Sequence, residues 1–242
     1  MSLLRLIARL DVKGAHVVKG VQMEGLRIVG RPAELARRYA EAGADELLYI
    51  DTVASLYGRN ALGPIIEEAV QGVFIPITVG GGLRGMEDVR AAFLAGADKV
   101  ALNTAALRRP GLIDEVSGKY GSQALVVAVD AKRVGRGWEA YAEGGREPTG
   151  RPAVDWAFEA VQRGAGEVLI TSIDRDGTRR GFDTALVAKI APHVPVPVCA
   201  CGGMGTLEHL KDVIRNGRAD AVAMASCLHY GKITFLEMRK CL

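Results

Sequence analysis

Two stretches decide the fold: IPITVGGGLRGMEDV at residues 75–89 and VPVCACGGMGTLEHL at residues 196–210. Each is a short apolar run that ends in glycines and leads into an amphipathic segment. They are the same phrase written twice, Gly82 answering Gly203 at an offset of 203 − 82 = 121. Working outward, other landmarks recur in the same order. IARLDVKG around Asp11 answers VVAVDAKR around Asp130 (130 − 11 = 119), and AGADELLYI around Glu46 answers RGAGEVLIT around Glu167 (167 − 46 = 121). GADKVALNTAAL with Thr104 answers RADAVAMASCLH with Ser226 (226 − 104 = 122). A repeat must be found before a fold is assigned, and this period is far too long for a solenoid unit. The pattern is that of a duplicated half-domain, with halves at about 1–120 and 121–242.

Between the landmarks, apolar runs alternate with amphipathic ones. Strand-like runs fall at 6–11, 46–51, 76–80, 99–103, 125–130, 167–172, 196–200 and 221–225. They are hydrophobic almost throughout, as strands covered on both faces should be. Helical patterns such as AELARRYAEAG, MEDVRAAFLAG, PAVDWAFEAVQRG and LEHLKDVIRNG separate them, several with a following Gly as helix stop. Strict alternation implies a parallel sheet with right-handed crossovers. An open doubly wound sheet competes with a closed (β/α)8 TIM barrel. Eight units, a two-fold repeat and the lack of GxGxxG after the first strand favour a single barrel domain built of two fused half-barrels. The 242 residues also sit close to the roughly 250 of such a barrel.

Composition narrows the function classes. A net charge of +3, with no basic run interleaved with aromatics, argues against nucleic acid. No stretch resembles a signal-peptide core or a membrane span, so the expected location is the cytoplasm. Cys199, Cys201, Cys227 and Cys241 show neither CxxC spacing nor His partners, so buried reduced thiols are expected and no metal or cofactor is implied.

Barrel chemistry belongs at the C-terminal strand ends. Asp11 and Asp130 each end an apolar strand there, where burial can tune a carboxyl for proton transfer. Each alone could be a loop cap; as repeat equivalents facing across a barrel they form a candidate catalytic pair. Gly80–Gly82 with Asn103–Thr104, and Gly202–Gly203 with Ala225–Ser226, make two small-residue clusters. Such turns let backbone N–H groups approach an anion, and two opposite copies suit a substrate with a phosphate at each end. Arg5, Glu46, Lys99 and Glu167 start strands at the other mouth, where inward charges must pair. They read either as a salt-bridge ring closing the floor or as a gate on a path through the barrel.

The segments LDVKGAHVVKG, ITVGGGL, GADKVALNTAA, GSQALVVAVDAKRV, WEAYAEGGREPTG, GAGEVLITSIDRDGT and CGGMG resemble the cyclase-subunit family of imidazole glycerol phosphate synthase, HisF, almost end to end. The resemblance implies a (β/α)8 barrel in histidine biosynthesis. Its reaction joins ammonia to phosphoribulosyl-formimino aminoimidazole carboxamide ribotide, giving imidazole glycerol phosphate and aminoimidazole carboxamide ribotide. It further implies Asp11 and Asp130 as the acid/base pair and Lys19 in a mobile loop over the substrate. One phosphate would lie on Gly82, Asn103 and Thr104, and the other on Asp176, Gly177, Gly203, Ala225 and Ser226. Gln123 and Thr171 would touch the middle of the substrate. Arg5, Glu46, Lys99 and Glu167 would be the ammonia gate. A glutaminase subunit would dock on the N-terminal face near Asp45 and Asp98, forming a heterodimer.

This chain departs from the family pattern in the segment GVQMEGLRIVGRP, in ASLYGRN, at Arg9 where a Cys is usual, and at Cys201 where a Ser is usual. The departures keep a family paralogue in view, one that delivers ammonia for sugar amidation in surface-polysaccharide synthesis. The sister aminoaldose–ketose isomerase shares the duplication but lacks the GSQALVVAVDAKRV and SIDRDGT segments. A non-catalytic scaffold would not need both aspartates.

Overall fold

The computed structural model describes residues 4–54 and 63–242; the ASLYGRN departure lies almost wholly outside them. Among the described residues, eight parallel strands close on themselves. They are β1 (Arg5–Lys13), β4 (Glu46–Asp51), β5 (Ile77–Gly80), β6 (Lys99–Leu102), β7 (Leu125–Val134), β10 (Glu167–Ser172), β11 (Val198–Cys201) and β12 (Ala221–Met224). Each pairs with the next, and β12 returns to β1 with Arg5 opposite Ala221 and Ala8 opposite Met224. The sheet is a (β/α)8 barrel, as the alternation of elements implies.

The period of two along each strand sorts the side chains. In β1, Leu6, Ala8 and Leu10 face the helices, while Arg5, Ile7, Arg9 and Asp11 face the axis. The outward set belongs to one large core beneath the helices. Of the inward set, Ile7 joins Leu48, Ala101, Val126, Ala128, Leu169, Cys199, Cys201, Ala221 and Ala223 in a narrow apolar collar. Alanines on this inner face keep the collar thin. Outside, Ala153, Ala157 and Ala160 of helix Ala153–Gln162 are fully buried, and they let that helix lie close against the sheet.

Two hairpins depart from strict β-then-α order. β2 (His16–Val21) and β3 (Glu24–Gly30) follow β1; β8 (Gly137–Ala142) and β9 (Glu147–Pro152) follow β7. They rise from equivalent places in the two halves and extend the C-terminal mouth. In the first, Gln22 and Met23 form the turn with φ of 53° and 63°. That is the geometry of a two-residue turn with both central residues left-handed. The tips meet over the mouth, since a Cβ on Gly145 would come within 2.7 Å of Met23 Sδ. Lys19 is therefore a strand residue, not part of an irregular loop.

Candidate active site

Asp11 and Asp130 both line the C-terminal mouth, in surroundings that differ. Asp11 is 4% exposed and held by two cations. Arg9 Nε donates to its Oδ1 at 2.7 Å and Lys19 Nζ to its Oδ2 at 3.2 Å. Burial alone would push its pKa up, but Arg9 and then Lys19 outweigh burial and hold it down at about 2. Asp130 accepts from Asn103 Nδ2 at 2.7 Å, and Thr171, its partner across the β7–β10 pairing, favours its charged form. Burial is the main influence there. Against the pull of Arg9 it lifts Asp130 to about 6, with Asp176 and Asp11 adding to the rise. At neutral pH, Asp130 is thus a carboxylate poised to exchange a proton.

Around these two groups lie both glycine cradles. Gly81 and Gly202 have the same φ of 89°. A Cβ on Gly81 would meet Asp51 O at 2.2 Å, and one on Gly202 would meet Ser172 O at 2.9 Å (51 + 121 = 172). Asn103 and Ala225 precede their short helices with similar backbone angles, φ −126° and ψ −88° against φ −130° and ψ −74°. Two turns of the same construction therefore face one mouth.

The first cradle opens on a cavity of about 300 Å³ lined by Gly82, Asn103, Thr104, Asp11, Asp130 and Thr171, among others. Glu143 reaches into it from the tip of the β8–β9 hairpin. Its N–H donates to Thr104 Oγ1 at 2.9 Å, and its Oε1 pairs with Arg108 Nη2 at 2.8 Å. Asn103 Oδ1 and Glu143 Oε2 are buried acceptors with no hydrogen-bond partner in the protein. The second cradle holds Asp176, Gly177, Gly203, Ala225 and Ser226 around only about 20 Å³. The β2–β3 hairpin covers it: a Cβ on Gly177 would lie 2.3 Å from Gly20 O, and Gln22 N donates to Asp176 O at 2.8 Å. Lys19 bonds Asp176 at 2.8 and 3.0 Å.

The structure thus brings Lys19, Gly82, Asn103, Thr104, Thr171, Asp176, Gly177, Gly203, Ala225 and Ser226 to one mouth with the two aspartates. Gln123 is the exception and a correction. It sits in a 3-10 turn (Ser122–Ala124) ahead of β7, at the opposite end of the barrel. It is exposed there, with Nε2 donating to Tyr120 O at 3.1 Å. A residue that precedes a barrel strand cannot reach the mouth that follows it. Conversely, Arg108, Glu143, Met23 and Leu26 line the cavity although no motif marks them. The tandem Arg108–Arg109 beside the first cradle is the one signal that could have found a basic group there.

At the far mouth, Arg5, Glu46, Lys99 and Glu167 form a closed ring. Arg5 binds Glu46 at 2.6 Å and Glu167 at 2.8 Å; Lys99 binds each glutamate at 3.1 Å. Burial opposes the Arg5 charge, but Glu167 and Glu46 more than compensate and raise its pKa. Nearby, Asp45 accepts from Leu6 N at 2.6 Å and pairs with Arg239, and Asp98 accepts from Ile77 N at 2.8 Å. Both acids therefore cap strand starts. No cluster of His, Cys, Asp or Glu suited to a metal occurs among the described residues, and none of their helices is long and apolar enough to cross a membrane.

A (β/α)8 barrel with buried carboxylates and glycine turns gathered at its C-terminal mouth is the architecture in which barrel enzymes keep their active sites. Comparison with known proteins narrows the class. The profile of the histidine biosynthesis protein family matches residues 5–234. The chain is 53% identical over 227 residues to a protein of Acidobacterium capsulatum described as imidazole glycerol phosphate synthase subunit HisF, covering 94% of this chain and 90% of that one. This chain belongs to the histidine biosynthesis protein family.

Proposed function

We propose that this chain is the cyclase subunit of an imidazole glycerol phosphate synthase. It uses ammonia to convert phosphoribulosyl-formimino aminoimidazole carboxamide ribotide into imidazole glycerol phosphate and aminoimidazole carboxamide ribotide. The observation that carries this reading is the facing of Asp11 and Asp130 between two glycine cradles in one mouth. The substrate carries a phosphate at each end, and backbone N–H groups in left-handed glycine turns are suited to hold them. Its nitrogen-bearing middle offers donors to the unpaired Asn103 Oδ1 and Glu143 Oε2. Ring closure after ammonia addition requires protons to leave nitrogen and reach departing oxygen. Asp130 has the proton affinity for that at neutral pH, while Asp11 supplies a fixed negative charge opposite it. The reading needs no cofactor and no metal, and it describes a cytoplasmic enzyme built as one barrel of two fused halves, about 1–120 and 121–242.

The test is conversion of the bisphosphate substrate by the isolated chain with ammonium salts at alkaline pH, where free ammonia is available. Turnover supports the reading. Its absence in well-folded protein overturns it, and would favour a relative that hands ammonia to a sugar-modifying enzyme.

Ammonia then comes from a glutaminase partner docked in one-to-one complex on the N-terminal face, near Asp45 and Asp98. The ring of Arg5, Glu46, Lys99 and Glu167 lies across the entry, and the apolar collar lies beyond it. A gate acts on transfer, not on cyclisation. Lys99→Ala should therefore change glutamine-dependent turnover several-fold more than ammonium-dependent turnover when both are assayed with the glutaminase present. Equal losses would make the ring a floor brace only.

A further inference from the structure

Arg9 points from the middle of β1 into the barrel and is 6% exposed. Its guanidinium makes three contacts: Nε donates to Asp11 at 2.7 Å, and Nη1 donates to Thr171 Oγ1 at 3.1 Å and to Cys201 Sγ at 3.3 Å. Thr171 in turn stands opposite Asp130 in the β7–β10 pairing. One cation therefore touches one aspartate and the strand neighbour of the other. Packing does not call for it, because burying a guanidinium costs several kcal/mol and an apolar side chain fills the same space without that penalty.

The two carboxylates receive different treatment. Asp11 has a cationic donor on each oxygen, Arg9 on Oδ1 and Lys19 on Oδ2, and both donors are buried. Among the described residues, the side-chain donor on Asp130 is neutral, the Asn103 amide. We propose that Arg9 is a positioning residue that divides the labour of the pair: with Lys19 it pins Asp11 as a permanent carboxylate, so that protons in this pocket move through Asp130. Arg9 does not carry the proton, since a guanidinium stays charged in proteins. The titratable groups facing Asp11 are Arg9 from β1, Lys19 from β2, Asp130 from β7 and, at longer range, His229, which burial lowers to about 4. Those facing Asp130 are Arg9, Asp176 and Asp11. Because Arg9 pulls both carboxyls down, removing it should raise both.

The division of labour rests on the reading above for its chemistry, but it can be tested without turnover. Carboxyl carbons of labelled aspartate can be followed by NMR from pH 4 to 8 in the wild type, Arg9→Met and Arg9→Lys. In the wild type, Asp130 should show a midpoint near 6 and Asp11 no step in that range. Arg9→Met should raise both midpoints, and Arg9→Lys should keep Asp11 flat. A wild-type Asp11 step inside the range, or unchanged midpoints in Arg9→Met, overturns the proposal. The wild-type and Arg9→Lys titrations decide it if Arg9→Met does not fold. In turnover, Arg9→Met should move the acid limb of kcat to higher pH, lowering kcat at pH 7 about twofold for a midpoint shift of one pH unit and about tenfold for a shift of two. Little change in KM should accompany this, and Arg9→Lys should restore kcat. A KM effect alone would mean Arg9 only binds substrate. A wild type with the expected titration and no turnover leaves this inference standing and removes the cyclase reading.

Discussion

Gly81 and Gly202 share a φ of 89°, yet the mouth around the first holds a cavity of about 300 Å³ and that around the second about 20 Å³. The backbone of the two cradles is repeated; the side chains and hairpins over them are not. The β2–β3 hairpin leans across the barrel onto Gly177 and locks there through Lys19 and Asp176. Its counterpart, β8–β9, leaves its own side open and sends Glu143 toward Thr104. A duplicated frame thus carries two pockets of different accessibility. The difference is written in a few residues beyond the barrel strands.

The largest expected effect breaks the parallel between the aspartates. Asp130→Asn should cut ammonium-dependent turnover by about a hundred- to ten-thousand-fold while the protein stays folded, as loss of a positioned general acid/base does. Retention of activity would remove Asp130 from the chemistry. Next comes the covered cradle. Gly177→Ala would combine a left-handed backbone with a Cβ 2.3 Å from Gly20 O, so the hairpin must lift. A loss of about 2–4 kcal/mol in urea unfolding is expected. Gly14→Ala, with φ of +58° and nothing within 4 Å, should lose only about 1–2 kcal/mol. Similar losses in the two would mean that the hairpin does not bear on Gly177.

The aspartates also separate in the pH dependence of stability. Asp130 has a raised pKa, so its contribution is full below about 4 and is lost as pH climbs through about 6. Asp11 is depressed, so its contribution is full above about 4 and fades as pH falls toward 2. In urea titrations across this range, Asp130→Asn should flatten the change between pH 4 and 6, and Asp11→Asn the change below 4. The converse pattern would reverse the assignment. The smallest effect sharpens the picture of the open cradle. Glu143→Gln removes an anion from its rim and should tighten binding of inorganic phosphate there about two- to fivefold, a few tenths of a kcal/mol to one. Weaker binding would show that Glu143 organises Arg108 for the ligand.

The barrel was legible because buried parallel strands and amphipathic helices leave strong periodic traces, and the duplication paired them. The hairpins were not. Gln22–Met23 makes a left-handed turn without the Asn-Gly or Asp-Gly that usually announces one, so the segment reads as loop. Both aspartates and both cradles could be read from strand ends. Gln123 was misplaced because its motif adjoins a strand at the wrong end. Arg9 and Cys201 each stood out in sequence, but nothing local links residues 192 apart, and only the closed barrel sets them in contact.

The floor ring has an electrostatic character of its own. Two cations and two anions alternate around it, each cation bridging both glutamates. Such an arrangement has no net charge, and its leading moment is a quadrupole, whose potential dies away far faster than that of a single ion. Beyond the mouth itself, the four groups neither summon nor repel an approaching protein. Salt, which screens long-range attraction over about 10 Å at 0.1 M, should therefore scarcely alter the ring's own share of the field at this mouth.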